Sequence, residues 1–370
     1  MTAIEVADDL AQLDAALDAL PNQPAVFVLW PKEGQPYIGK TGLLRRRLLR
    51  LLKPREKPSR LLNLRHTARR IAFQLTGSAL ESSVVLYQET RRHFPETYPD
   101  LIKLRMPPYV KVVLNNQFPR THITAHLTRA AGLYFGPFRS RASAERFESQ
   151  FLDLFQMRRC QEDLAPSPQH PGCIYGEMGM CLRPCQQVVG PAEYGQEVVR
   201  VVEFLRSGGR SLLQAIGHSR DRLSQEMMFE EAARQHKRFE KVQDVLKLRD
   251  DLAHDLDGLN GVAVTPSPLP DAVEMWFVRE GHWQEPQRFT FEKDGRTMSL
   301  DRKLRETFAA VTPRKLAVKE RQEYLALLAR WYYSTWRDGE WLAFDSYEEI
   351  PYRKLVNALS RVAHGHAGPV

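Results

Sequence analysis

The sequence predicts an α+β fold with several domains, and three observations support this prediction. The 370 residues are 43% hydrophobic and 26% charged, which is typical of a globular chain long enough to form two or three cores. Short apolar or alternating runs that indicate strands are interspersed with stretches of helical periodicity. All four cysteines fall within one proline-rich stretch, which indicates a small site of its own.

In the first third of the chain, the pattern indicates a small mixed unit that follows an N-terminal arm or short amphipathic helix at residues 1–21. Ser78 is in the right place to cap a helix that runs to about His93. The other predicted elements are strands at Ala25–Leu29, Pro36–Ile38, Arg70–Thr76 and Tyr109–Leu114, and a helix at Leu43–Leu52. We therefore place the first globular domain at residues 22–114.

The rest of the chain divides into three further segments. Residues 115–190 combine connecting strands, a helix and the cysteine loop, and residues 191–256 are helical with a break near Phe229. Residues 257–370 form a small α+β unit. The elements predicted in these segments are strands at Thr121–Leu127, Gly261–Val264, Ala272–Val278, Gln287–Phe291 and Trp341–Phe344, a helix at Ser143–Gln156, and three helical stretches near the C-terminus.

The formal net charge of +8 is concentrated in one part of the chain. Between Lys40 and Arg70 there are twelve lysines and arginines and a single acidic residue, Glu56. Basic side chains at this density displace counterions from phosphates, so the segment predicts a polyanionic partner. The alternative is a solvated basic face without a partner.

The cysteines, Cys160, Cys173, Cys181 and Cys185, are separated by 12, 7 and 3 residues. No apolar run approaches the ~20 residues of a bilayer span, and the N-terminus does not resemble a signal peptide, so we expect a cytoplasmic protein without a membrane partner. In a reducing compartment, clustered thiols are more often metal ligands than disulfides. Both zinc and a [4Fe–4S] cluster stay open, although the single close pair of cysteines is unusual for zinc.

Three separated blocks carry a resemblance. The first is Pro24–Phe27 with Tyr37–Lys40 and Arg47, the second is Tyr134–Phe138 and Met157–Arg159 leading to the four cysteines, and the third is Met228–Ala233 within about 211–246. The first is similar to the GIY-YIG nuclease signature and the third to the UVR motif, and together the blocks resemble the UvrC/Cho family of excinucleases. The cysteine block is the most specific match. The blocks also follow the order that they have in the family.

The resemblance implies hydrolysis of a DNA phosphodiester at a single divalent ion, Mg²⁺ or Mn²⁺, in the first domain. In the family, two tyrosines and a lysine organise the attacking water, an arginine binds the scissile phosphate and a glutamate holds the metal. Tyr37, Lys40 and Arg47 match this set, whereas Phe27 lacks the hydroxyl of the first tyrosine. Two further positions also depart from the pattern: Leu86 replaces the glutamate and Tyr98 an asparagine.

These departures leave three functions open. Glu89, about one turn beyond Leu86, is an alternative metal ligand, whereas Glu81 is expected to face elsewhere. With an active site of this kind, the chain would make a single incision on the 3′ side of a lesion. Without one, it would be an accessory protein that binds DNA and UvrB. A zinc-stabilised DNA-binding module outside repair is the third interpretation.

The resemblance further implies partners and a cofactor. Double-stranded DNA with lesions would be held through its phosphates by Arg45, Arg46, Arg50 and Lys53, with Arg55 and Lys57 beyond. UvrB would bind the helical hairpin through Phe229, Glu230 and Ala233. The four cysteines would hold a [4Fe–4S] cluster. Residues 257–370 resemble the start of the C-terminal half of UvrC.

Overall fold

The computed structural model describes residues 1–5, 10–54, 62–291 and 299–365. In these ranges the chain is built around three antiparallel sheets flanked by helices, so the predicted α+β class is confirmed. None of the helices in this described part combines the length and the hydrophobicity that a membrane crossing requires.

The first unit consists of a sheet with helices on both faces. Its elements are β1 (Thr2–Glu5), α1 (Leu10–Asp18), β2 (Ala25–Pro31), β3 (Tyr37–Thr41), α2 (Leu44–Leu52), β4 (Ala68–Leu75), α3 (Ala79–His93) and α4 (Tyr98–Leu101). The strands are ordered β1-β4-β2-β3. Leucines of α1 and α2 pack with Phe27 of β2 and Ile71 of β4 to form its core, which leaves the basic side of α2 outside.

The second unit carries the cysteine loop and the root of a helical hairpin. Its elements are β5 (Tyr109–Val113), β6 (Arg120–Thr124), β7 (Gly132–Gly136), α5 (Arg141–Leu152), α6 (Ile174–Glu177), α7 (Pro191–Arg206), α8 (Arg210–Gln225), α9 (Phe229–Lys247) and β8 (His254–Asp255). A core rich in phenylalanine joins the sheet to α5 and α7. Leu212 and Val242 anchor the root of the α8–α9 hairpin in this same core.

The third unit is a sheet between helices. Its elements are β9 (Gly261–Pro266), β10 (Ala272–Arg279), β11 (His282–Trp283), β12 (Gln287–Thr290), α10 (Leu300–Ala309), α11 (Val318–Tyr332), β13 (Glu340–Ala343) and α12 (Tyr352–Ala363). One face of the sheet packs on α10 and α12. The other face packs on α11, which in turn contacts α3 of the first unit.

A buried carboxylate joins the first and third units. Glu323 of α11 is 1% exposed and accepts hydrogen bonds from the hydroxyls of Tyr87, at 2.7 Å, and of Tyr98. Arg91 donates to the Tyr87 hydroxyl at 2.7 Å and pairs with Glu320 of α11 at 3.3 Å. A buried charge is tolerated when such donors satisfy it, so these contacts fix the position of α11 on α3.

A second close contact joins the same two units at the start of α3. Gly77 precedes the helix, and a Cβ atom placed there would lie 2.3 Å from the backbone carbon of Ser267. Only glycine permits backbones to approach this closely. Ser78 then caps α3, as predicted, by accepting a hydrogen bond from the Glu81 amide at 3.0 Å.

The sequence pattern misses four strands of the described structure and misplaces one. Thr2–Glu5 is a strand where the pattern predicts an arm or helix, and Gly132–Gly136, His254–Asp255 and His282–Trp283 are strands where it predicts none. All four are short, so periodicity gives little signal. Tyr109–Val113 pairs with β6 and β7, so this strand belongs to the second sheet although the predicted boundary at residue 114 assigns it to the first domain.

We expect the substitution Glu323→Ala to lower the free energy of unfolding by about 2–4 kcal/mol, because two buried tyrosine hydroxyls lose their acceptor. The matched control is Glu306→Ala, which removes an exposed carboxylate of α10 and should cost about 0.5 kcal/mol or less. Urea unfolding followed by circular dichroism measures both values. Equal destabilisation by the two changes would contradict the role assigned to Glu323.

Candidate functional site

A cleft of about 390 Å³ opens where β3 meets α3 and α4. Tyr37 and Gly39 form part of one wall, and Leu86 and Thr90 of α3 form part of another. Its remaining lining includes Phe94, Leu101 and Ile102. The fold thus brings Tyr37 of the signature strand and the Leu86 position to the same cleft, as the resemblance predicts for a nuclease site.

Two of the predicted site residues contact each other directly. The Arg47 guanidinium of α2 donates a hydrogen bond to the Tyr37 hydroxyl at 2.9 Å. Phe27, another of the predicted site residues, is fully buried, and its backbone pairs with that of Gly39 where β2 lies beside β3. A Cβ atom at Gly39 would come within 3.0 Å of the Phe27 ring, so the small residue makes room for this ring. Phe27 therefore serves the core, and it has no hydroxyl to offer the cleft.

Lys40 lies near the end of β3 with part of its side chain exposed. Its pKa is lowered, first because the surrounding protein removes water from the ammonium group and second because the Arg330 guanidinium of α11 lies nearby. The lysine therefore faces another cation contributed by the third unit. Arg330 is 290 positions away in sequence, and nothing in the sequence pattern singles it out.

The lining of the cleft does not suit a divalent ion such as Mg²⁺. Mg²⁺ and Mn²⁺ prefer carboxylate oxygens, and Leu86 offers only an aliphatic side chain. Glu89 is not among the described lining residues and instead pairs with His93 at 3.7 Å. Glu81 accepts a hydrogen bond from the Gly77 amide at 2.7 Å, and burial raises its pKa to about 7. Within the described ranges, no carboxylate lines this cleft.

Tyr98, which the resemblance places where the family has an asparagine, is buried between α3 and α11 and does not reach the cleft lining. Its side chain is 2% exposed and its hydroxyl is committed to Glu323. Burial raises the pKa of this phenol, and the Glu323 carboxylate raises it further, so the hydroxyl stays protonated as a donor. The side chain at this position thus holds α11 in place.

The basic side of α2 lies outside the core, as predicted. Arg46, Arg50 and Lys53 are exposed, whereas Arg45 is half-buried and donates to the carbonyl of Asp18 at 3.1 Å. The helix buries Leu44, Leu48, Leu51 and Leu52 on its other side. Arg55 and Lys57, predicted to extend this surface, lie outside the described residues.

The four cysteines lie in the loop between α5 and α7, and all four thiols are free. Burial of Cys181 raises its pKa to about 11, and charges on Cys160, Cys173 and Cys185 would raise it further, so the thiols are close enough to influence one another. The Arg183 amide donates to the Cys181 sulfur at 3.4 Å. Across the described ranges, no three His, Cys, Asp or Glu side chains are arranged at metal-ligand distances.

A buried arginine beside Cys160 bears on what this loop can hold. Arg158 is 0% exposed, and its guanidinium donates to carbonyls of Phe118 and Glu162 and to the Cys160 sulfur at 3.4 Å. One nitrogen, Nη2, has no hydrogen-bond partner, and no carboxylate pairs with Arg158 in the described part of the chain. A buried cation is stabilised by a nearby anion, and a metal bound by four thiolates carries net negative charge. The four thiols supply the ligand type of such a metal site, and the buried Arg158 guanidinium supplies a positive charge that would offset its negative charge.

The hairpin presents an apolar tip. Met227, Met228 and Phe229, at the turn between α8 and α9, are exposed by 77%, 43% and 65%. Glu230 and Ala233 follow on the first turns of α9 and are also exposed. An ordinary hairpin would turn these apolar residues towards a core, so an exposed cluster of this kind indicates an interaction surface.

Comparison with known proteins agrees with the block that contains the cysteines. A family model described as UvrC/Cho excinuclease, middle domain, matches residues 108–204. The UvrABC system protein C of Lachnospira eligens is 26% identical over 275 residues, covering 73% of this chain and 44% of that protein. The protein of the same name from Moorella thermoacetica is 28% identical over 234 residues, or 63% and 38%.

The chain spans less than half the length of these curated relatives. No solved structure matches it. The matched middle domain begins just before β5 and ends within α7, so it contains β5, β6 and β7 of the second sheet and the cysteine loop. The chain is thus similar to UvrC/Cho excinucleases, and its residues 108–204 match the model of the middle domain of that family.

Proposed function

We propose that the chain is a nucleotide-excision-repair protein that binds lesion-containing double-stranded DNA through its nuclease-like unit without hydrolysing it. One observation carries this proposal. The cleft keeps the Tyr37–Arg47 contact and the nearby Lys40, but the wall that should carry a carboxylate carries Leu86. The basic groups that would grip a phosphate are therefore present, whereas the ligand that would hold the catalytic metal is missing.

The energetic consequence of this loss is large. A divalent ion stabilises the charge that develops on a phosphoryl group by several kcal/mol, and each ~1.4 kcal/mol is a factor of ten in rate. Arg47 and Lys40 can bind and orient a phosphate, but neither activates a water molecule as a metal-bound hydroxide would. Binding without turnover is the function that the remaining residues support best.

The competing candidate is a metal-dependent single incision on the 3′ side of a lesion. The retention of Tyr37, Lys40 and Arg47 supports it, because all three have roles in the family's reaction. It would require Glu89 to leave His93 and turn into the cleft as the ligand of Mg²⁺ or Mn²⁺. We favour binding alone because Glu89 already has a partner outside the described lining.

The two candidates differ in an incision assay on a lesion-containing duplex with UvrA, UvrB and Mg²⁺ or Mn²⁺. We expect no incision by the native chain above the assay background, and nicking by Leu86→Glu at about 100-fold above that background, because the carboxylate restores a metal ligand. The control is Leu86→Glu with Lys40→Ala, which should be inactive. Incision by the native chain that Lys40→Ala abolishes would contradict the proposal.

We also propose that Cys160, Cys173, Cys181 and Cys185 hold a [4Fe–4S] cluster, with zinc as the alternative. When bound, such a group would act as a structural cross-link for a loop rich in proline. The Arg158 guanidinium would offset its negative charge and donate to the Cys160 sulfur, and the Arg183 amide would donate to the Cys181 sulfur. Such contacts outside the ligand set are known to orient metal ligands and to tune the site.

This assignment predicts that anaerobically purified protein contains iron and sulfide and absorbs near ~400 nm. Arg158→Met should lose the metal to a chelator about 10-fold faster than the native chain, because the buried counter-charge is gone. Arg146→Met, which changes an exposed arginine of α5, is the control and should behave as native. Stoichiometric zinc without colour would exclude the cluster, and unchanged chelation by Arg158→Met would contradict the role of this arginine.

We further propose that the exposed hairpin tip binds UvrB. Burial of a large exposed aromatic side chain such as Phe229 at an interface commonly contributes about 2 kcal/mol or more, which is a factor of about 30 in affinity. The change Phe229→Ala with Glu230→Ala should therefore abolish co-purification with UvrB. The control pair, Lys237→Ala with Glu240→Ala, alters exposed residues further along α9 and should leave binding intact. Loss with both pairs, or with neither, would count against the assignment.

A further inference from the structure

A second cleft lies where the three units meet, and we call it the basic cleft. It has a volume of about 540 Å³. One wall comes from the segment between α4 and β5, another from the residues after β7, and the third from α11. Its charged lining residues are Lys103, Arg105, Arg139 and Arg330. Among the described residues that line it, there is no aspartate or glutamate.

The four basic side chains of this cleft have no ion-pair partner among the residues that the structure describes. All four side chains are exposed. Many other arginines in this structure do have a carboxylate partner, as Arg141 has in Glu145 and Arg361 in Glu340. Four like charges held in one concave surface repel one another, so the arrangement is stabilised when an anion binds between them.

The basic cleft also lies next to the candidate nuclease site, because Ile102 lines the first cleft and the following residue, Lys103, lines the basic cleft. Arg330 is close enough to Lys40 of β3 to affect its ionisation. The cations therefore run from the signature strand, past α11, to Arg139. Arg139 itself is held over the ring of Tyr333, with 5.3 Å between its guanidinium carbon and the ring centre. The Tyr333 hydroxyl donates to the carbonyl of Pro137 at 2.9 Å, which fixes that ring.

We propose that the basic cleft binds the phosphate backbone of a nucleic-acid strand that enters or leaves the candidate nuclease site. The proposal rests on the DNA binding proposed above, and it assigns part of that binding to α11 of the third unit. Phosphate contacts by lysine and arginine position a strand without reading its sequence, which suits a protein that accepts varied lesions. A free phosphate compound has the same chemistry, but the run of cations out of the cleft towards Lys40 favours a strand.

The test uses the full chain and a fluorescently labelled duplex, with affinity measured by anisotropy over a series of salt concentrations. The variant Arg105→Ala with Arg330→Ala should bind about tenfold more weakly, and the slope of log affinity against log salt should fall by about 2, because roughly 0.9 counterions are released per contact. Arg330→Gln, which keeps most of the side-chain volume, should show about half of the change in slope.

The control pair is Arg146→Ala with Arg353→Ala, which removes the same charge from exposed positions on α5 and α12. It should leave the slope unchanged. If the cleft pair and the control pair bind equally while Arg46→Ala with Lys53→Ala weakens binding, the proposed function stands and the basic cleft is refuted. Inorganic pyrophosphate, tested as a competitor of the duplex, is the second probe: if the cleft pair binds the duplex like the native chain and loses only pyrophosphate binding, the strand proposal is refuted. A native chain that binds no duplex refutes both.

Discussion

The arrangement of the first and third units depends on one buried interaction. Glu323 of α11 accepts hydrogen bonds from the hydroxyls of Tyr87 and Tyr98. A carboxylate at 1% exposure is tolerated only with donors in place, so α11 has one stable position on α3. That position brings Arg330 beside Lys40 and forms the third wall of the basic cleft. It also engages Tyr98, where the sequence resemblance predicts an asparagine of the nuclease site. In this structure the side chain at that position contributes to the joint between two units.

A second buried ionisable side chain, Arg158, lies in the middle unit. Arg158 is buried with a free nitrogen and without an acidic partner in the described part of the chain, and its guanidinium donates to the sulfur of Cys160. Burial of a cation in this way is unfavourable unless an anion lies nearby. The cysteine loop is the natural source of that anion. The two proposed sites therefore differ: the cysteine loop has all four proposed ligands and a counter-charge, whereas the nuclease-like cleft has Lys40 and Arg47 near it and no carboxylate in its described lining.

Much of the fold could be predicted because local signals are strong where elements are long. The leucine periodicity of α2, the Ser78 cap and the break before Phe229 all have local causes, and the structure contains each of them. The strand β1 and the membership of β5 in the second sheet could not be predicted, because pairing partners lie far away in sequence. Arg330 and Glu323 were missed for the same reason. Arg158 could have been noticed, since an arginine two residues before the first of four clustered cysteines is a local signal.

On the function proposed above, the nuclease-like cleft has lost its metal ligand and binds DNA without cleaving it. A Mn²⁺ titration followed by electron paramagnetic resonance tests this most directly, because the signal of free aqueous Mn²⁺ disappears on binding. The native chain and Glu89→Gln should bind Mn²⁺ equally weakly, and Leu86→Glu should gain one site. A native chain that binds one Mn²⁺ ion, and loses it on the change Glu89→Gln, would contradict the proposed loss of the metal site.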